Sequence, residues 1–176
     1  MLVIVGVDGG VAAHAAPDAS SGAEGIYAAA APRLLQIRTL VADADRQASI
    51  GSGFLVSSDG LAITNYHVVS QAALEPKTYR LEYAAADGSR GGVTLLGIDL
   101  PNDLAIIRLD KSDRQSAPFF TFDETAIGRG LPKGERLYSM GNPLDLGFTV
   151  NEGTYNGLVG RSYNERIHLP GHSTPA

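Results

Sequence analysis

Between Leu34 and Leu109 the chain breaks into short apolar runs separated by polar and glycine-bearing punctuation. Runs this short, bounded by turn residues, predict strands rather than helices. Leu34–Val41 reads as a first strand and the polar Ala42–Gln47 as a hairpin loop. Ile50–Ser57 forms the next strand, in which Gly51 and Gly53 permit a bulge or a close backbone approach. Ser58-Asp59-Gly60 supplies a turn, and Leu61–Thr64 returns as a third strand. Tyr66–Ser70 reads as a helical turn capped by Asn65, followed by a loop through Pro76. Tyr79-Arg80-Leu81-Glu82-Tyr83 alternates apolar and polar residues, as a half-buried strand does, and Ala86–Ser89 is a turn. Val93–Ile98 and Leu104–Leu109 complete the set, separated by Asp99–Asp103. About six strands of this length are the content of one small antiparallel barrel.

After a polar connector over Asp110–Pro118, a second series is predicted at Phe119–Phe122, Arg136–Met140, Phe148–Tyr155 and, weakly, Arg166–Leu169. The pattern therefore gives a first β-barrel over residues 32–112 and a partial second barrel over 113–176. At the other end, Met1–Ala16 is largely apolar and ends in Ala13-x-Ala15, the small-residue pattern of a signal-peptide cleavage site. No Lys or Arg precedes the apolar run, and Asp8 interrupts it. The run is too short to span a bilayer. Residues 17–31, rich in Ala, Ser and Gly, read as a linker with a short helical turn near Glu24–Ala30.

Composition narrows the function classes. With 44% hydrophobic and 19% charged residues over 176 positions, the chain can bury a sizeable core. Its net charge of −5 leaves no basic face for nucleic acid. There is no cysteine, which excludes disulfides, thiolate metal sites and a cysteine nucleophile. Twenty-one glycines and nine prolines favour many short elements joined by turns.

Of four histidines, His67 has the most specific surroundings. Taken alone it reads as a polar residue satisfied at a strand end. Its context, Gly51-Ser52-Gly53-Phe54-Leu55-Val56, a turn, then Leu61-Ala62-Ile63-Thr64-Asn65-Tyr66-His67-Val68-Val69, resembles the histidine block of trypsin-like serine peptidases, most of all the bacterial HtrA/Deg type. A second block, Asn102-Asp103-Leu104-Ala105-Ile106-Ile107-Arg108-Leu109, lies 36 residues after His67. In that family an aspartate just before such a strand orients the histidine, a role the resemblance assigns to Asp103. Asn102-Asp103 alone would read as a turn. Asp99 is the local rival but lacks the following strand. A third block, Leu137-Tyr138-Ser139-Met140-Gly141-Asn142-Pro143-Leu144, resembles the second-barrel strand, and Thr149–Gly157 the segment after it. Ser139 is not in the nucleophile's motif. The resemblance implies an all-β, chymotrypsin-like double β-barrel whose second barrel is incomplete in this chain. It also implies a serine endopeptidase using a Ser-His-Asp triad with catalytic His67 and Asp103 and no cofactor or metal.

The family places its nucleophile in a Gly-x-Ser-Gly-Gly turn, and no Gly-x-Ser-Gly occurs in the 176 residues. Laying Thr174-Pro175-Ala176 on the preceding Pro-Gly puts that serine two residues past Ala176, and an alanine where an oxyanion-hole glycine is expected. In this register His172 and Ser173 fall where the family lines the pocket for the substrate's P1 side chain. The alternative, a metal site from the His-x3-His spacing of His168 and His172, is opposed by the helix-breaking Pro170 and Gly171 between them. The resulting expectation is an exported protein, periplasmic or secreted, acting on protein or peptide substrates, without nucleic acid or membrane span, and homo-oligomeric if HtrA-like. The polypeptide as it stands is expected to be inactive and, with open strand edges in its second lobe, poorly stable. A non-catalytic peptide-binding or scaffolding module of the same fold is the rival reading.

Overall fold

The computed structural model of the chain describes residues 3–4, 19–110, 117–122, 130–141, 148–157, 159–161 and 164–166. Strand β1 (Val3–Ile4) precedes helix α1 (Ala19–Ala30) and a 3-10 turn (Ala31–Arg33). There follow β2 (Leu34–Val41), β3 (Gln47–Leu55), β4 (Leu61–Thr64), helix α2 (Tyr66–Leu74), β5 (Tyr79–Ala85), β6 (Arg90–Asp99) and β7 (Leu104–Leu109). The later strands are β8 (Arg136–Gly141), β9 (Thr149–Thr154), β10 (Val159–Arg161) and β11 (Asn164–Arg166).

Strands β2 to β7 close an antiparallel barrel in the order β2-β3-β4-β7-β6-β5, so none of the six is left as an edge. Alternation along β7 shows why: Ala105, Ile107 and Leu109 point inward, while Leu104, Ile106 and Arg108 face out. The barrel interior is filled by Leu35, Ile37, Leu55, Leu81, Tyr83, Val93, Ala105, Ile107 and Leu109, and helix α2 plugs it with Val68, Val69 and Ala72.

A second core forms beside it from Ala30, Leu34, Tyr138 and Met140, with Ile26, Tyr27, Phe54, Phe120, Phe148 and Val150 packed against them. Here β1, β8 and β9 make a three-stranded sheet, and β10 pairs with β11. The apolar doublet Leu34-Leu35 is explained by this arrangement. Leu35 faces the barrel interior and Leu34 the second core, so β2 starts with both faces covered. Arg33 closes the seam. Its Nε donates to the Phe119 carbonyl at 3.1 Å, and its guanidinium lies 5.4 Å from the centre of the Phe120 ring. That ring meets Phe54 edge-on at 5.9 Å, an ordinary favourable geometry for aromatic pairs.

The all-β expectation holds, with local differences. Phe119–Phe122 is not a strand. The Phe120 N–H donates to the Leu55 carbonyl at 2.9 Å, and the segment is anchored by ring packing instead of a ladder. The single helical turn expected at Tyr66–Ser70 continues to Leu74, because Gln71, Ala72, Ala73 and Leu74 are good helix formers and Ala72 is buried one turn after Val68. The alanine-rich segment read as a linker carries the 12-residue helix α1. Ile26, Tyr27 and Ala30, at helical spacing, pack it onto the second core. Of the weak strand expected near Arg166–Leu169 only Arg166 is described, as the last residue of β11; residues 167–169 lie outside the described residues, as does the Ala13-x-Ala15 pattern.

Candidate active site

Strand β4 delivers the chain to the site. Thr64, buried at its end, donates from Oγ1 to the Ser52 carbonyl at 2.8 Å, tying β4 to β3. Asn65 then turns the backbone (φ −83, ψ 145) and α2 starts at Tyr66, which makes His67 the second residue of a helix. The first N–H groups of a helix have no acceptor within it and must find one outside. Both of the first two find it on Asp103. The Tyr66 N–H donates to the Asp103 carbonyl at 3.1 Å, and the His67 N–H to Asp103 Oδ1 at 2.9 Å. The second carboxylate oxygen, Oδ2, lies 2.7 Å from His67 Nδ1.

Asp103 thus caps, from the turn before β7, the helix that carries His67. The cap expected from Asn65 is not made: its side chain forms no cap bond, the His67 N–H goes to Asp103 Oδ1, and Asn65 Nδ2 donates to the Asp103 carbonyl at 3.0 Å. Asp103 adopts a left-handed backbone conformation with φ 53, at the end of a turn in which its N–H donates to the Leu100 carbonyl at 3.2 Å. Asp is one of the few non-glycine residues that visit this region with any frequency. In the same turn the Asp99 carboxylate is engaged by Asn102, which donates its backbone N–H at 3.2 Å and its side-chain amide at 2.8 Å.

The helix body is held as firmly as its start. Thr39 points into the barrel and donates from Oγ1 to the Val68 carbonyl at 2.7 Å, fully buried. Val68 in turn lies over Gly51, where a Cβ would come within 2.3 Å of its Cγ2, so only glycine lets α2 sit this close to β3. Neither contact follows from the motif. The signal for Thr39 is a polar residue in the inward phase of an apolar strand, two positions after Ile37.

The site is open to solvent, with the side chains of His67 and Asp103 61% and 46% exposed. Burial pushes the Asp103 carboxyl up, but the His67 backbone N–H, its ring and its charge pull it further down, so its pKa lies below the ordinary 3.8. A neutral imidazole that donates from Nδ1 to the carboxylate presents Nε2 as an acceptor, which is the arrangement a general base needs. Among the described residues no three His, Cys, Asp or Glu side chains are grouped to hold a metal. His168, His172 and Ser173 lie outside the described residues, and Ser139 is a sheet residue paired with Asn151 and Val3.

The trypsin-like peptidase domain family matches residues 51–176. A protein of Chlamydia trachomatis named "Probable periplasmic serine endoprotease DegP-like" is 33% identical over 70% of this chain and 22% of its own length. A Pseudomonas fluorescens protein of the same name is 31% identical over 77% of this chain and 26% of its own. The chain therefore spans about a quarter of the length of these relatives. Among solved structures, Deg5 superposes with a TM-score of 0.67 at 22% identity, covering 88% of this chain and 73% of that one. The serine endoprotease from Yersinia pestis gives 0.62 at 26% identity, covering 81% of this chain and 46% of its own.

Proposed function

The chain belongs to the trypsin-like peptidase domain family, in its HtrA-type branch, and on that footing we propose that His67 and Asp103 are the base and the orienting acid of a serine endopeptidase centre. The observation that carries this reading is the 2.7 Å contact between His67 Nδ1 and Asp103 Oδ2. With Nδ1 held by a carboxylate, Nε2 takes the proton of an attacking serine and returns it to the leaving amine, while Asp103 stabilises the imidazolium formed between the two transfers. The serine oxygen bonds to the scissile carbonyl carbon, the amine leaves with the proton, and water releases the acyl group by the same route in reverse. Substrates are proteins or peptides, no metal or organic cofactor takes part, and His172 and Ser173 line the P1 pocket.

The 176 residues contain no Gly-x-Ser-Gly turn, so this polypeptide by itself supplies the base and acid without the nucleophile and does not cleave peptides. That same absence is what favours the second reading, a peptide-binding or scaffolding module of this fold. A fluorophosphonate probe separates the possibilities. We expect no labelling of the 176-residue chain, and labelling of a chain extended into a Gly-x-Ser-Gly turn that disappears in His67→Ala. Labelling that survives His67→Ala overturns the assignment of the base; an extended chain that stays unlabelled supports the binding module.

Export to the periplasm is part of the proposal. It is supported by the names of the relatives and by Ala13-x-Ala15. Cleavage after Ala15 would also remove Val3–Ile4, which pair with Ser139 and Tyr138 of β8. The N-terminal sequence of the protein recovered from cells tests it: a start at Ala16 supports export, and a retained Met1 or Leu2 in a cytosolic fraction opposes it. HtrA-like assembly into homo-oligomers completes the proposal, and light scattering reads it directly.

A further inference from the structure

We propose that Asn65 is a positioning residue for the acid–base pair: its side-chain amide, diverted from the helix end it would ordinarily cap, holds Asp103 in the backbone conformation from which both carboxylate oxygens reach His67. The catalytic meaning of this rests on the roles given to His67 and Asp103 above; the geometry does not.

Asn65 has the extended backbone of a residue preceding a helix (φ −83, ψ 145). In that position Asn, Asp, Ser and Thr normally accept a bond from the second or third N–H of the helix. Here the second N–H, that of His67, goes to Asp103 Oδ1 at 2.9 Å, and Asn65 Nδ2 donates to the Asp103 carbonyl at 3.0 Å. The two residues have exchanged duties. Asp103 has a left-handed backbone (φ 53), a sparsely populated conformation in which its surroundings hold it. Its carbonyl is fixed from two sides, by the Tyr66 N–H at 3.1 Å and by the Asn65 amide. Only the second of these donors depends on a side chain. A relaxed Asp103 would swing its carboxylate away from both His67 N and Nδ1.

The exchange also explains the residue type. Asp and Ser cap helices about as well as Asn. A carboxylate at position 65 would turn an acceptor toward the Asp103 carbonyl and set a negative charge beside the Asp103 carboxylate. A serine hydroxyl, on a side chain one bond shorter in reach, would fall short of that carbonyl.

Isotope-labelled 176-residue chain can be tested by NMR without a nucleophile. In the unsubstituted protein we expect a scalar coupling across the hydrogen bond from Asn65 Nδ2 to the Asp103 carbonyl carbon, and a resolved His67 Nδ1–H resonance. Asn65→Asp and Asn65→Ser are expected to abolish the Nδ1–H resonance while backbone amide signals of β5 and β6 stay in place. A resonance that persists in both variants overturns the proposal and leaves the Asn65–Asp103 bond without a positioning role. Should the variants not fold, the coupling decides alone: its presence supports the proposal and its absence overturns it. Asp103→Asn keeps the two outcomes apart. If the resonance is lost there but kept in the Asn65 variants, the His67–Asp103 pair stands and the positioning role falls; if Asp103→Asn also keeps it, both fall.

Discussion

Asp103 bonds His67 twice, once through the backbone and once through the ring: Oδ1 accepts the His67 N–H at 2.9 Å and Oδ2 meets Nδ1 at 2.7 Å. One side chain therefore serves both as helix cap and as partner of the imidazole. Asp103→Ala removes the cap and is expected to destabilise the chain by about 0.5–2 kcal/mol, the usual worth of an N-cap side chain. Urea unfolding followed by far-UV circular dichroism measures it. In a chain extended to include the serine, Asp103→Asn is expected to lower kcat by about 10⁴-fold, since the ring loses its orienting acceptor.

The same carboxylate sets an acid limit. Its pKa is held below 3.8, against burial, by the His67 N–H, ring and charge. A carboxylate with a depressed folded-state pKa adds stability that is complete above its unfolded value and is lost as pH falls through the folded one. The stability difference between the unsubstituted chain and Asp103→Asn is thus expected to shrink as pH falls below about 3.9. Urea midpoints at matched pH check this, and a difference that grows below that pH would contradict it.

Gly51 supplies the notch for helix α2. A methyl group there would overlap Val68 Cγ2 at 2.3 Å, and Val68 follows His67 in the same helix turn. Gly51→Ala is expected to cost about 1–3 kcal/mol, as overpacking a filled core does, and to shift the His67 resonances. Gly97, in the bulged part of β6, has nothing within 4 Å of a Cβ. Gly97→Ala is the matched control and is expected to leave thermal stability nearly unchanged.

Thr39→Val keeps the shape of the side chain and deletes its 2.7 Å bond to the Val68 carbonyl. That carbonyl keeps its place in the helix ladder, so the loss is that of one buried hydrogen bond, about 0.5–1.5 kcal/mol. Chemical denaturation measures the cost, and faster amide exchange in Val69 and Ser70 is the local sign.

The barrel was legible because its strands alternate cleanly and its turns carry glycine or aspartate, as in Ser58-Asp59-Gly60 and Ala86–Ser89. The neighbourhood of His67 and Asp103 was legible because one follows strand β4 closely and the other immediately precedes β7. What resisted reading were contacts between elements. Asn65 is a favoured capping residue, and nothing local reveals that Asp103 has taken its place. Phe119–Phe122 has the composition of a strand, but its ring contacts with Phe54 and Arg33 replace ladder pairing. The alanine-rich stretch before Arg33 resembles a linker by composition, and only the second core, to which Tyr138, Met140, Phe148 and Val150 come from more than 100 positions later, makes it a packed helix.

Leu34 and Phe54 give the wall between the two cores a bearing on how the molecule can be divided. They are neighbours across the β2–β3 ladder, yet both face away from the barrel those strands build. A cut after the first barrel would thus yield a closed cylinder with a greasy stripe along its outside, sealed in the intact chain by α1, Phe120 and Met140. The boundary between the lobes runs through the interior of a two-strand hairpin, so the barrel is a topological unit without being a separable one, and half of its neighbour's foundation is already laid when β2 and β3 first pair.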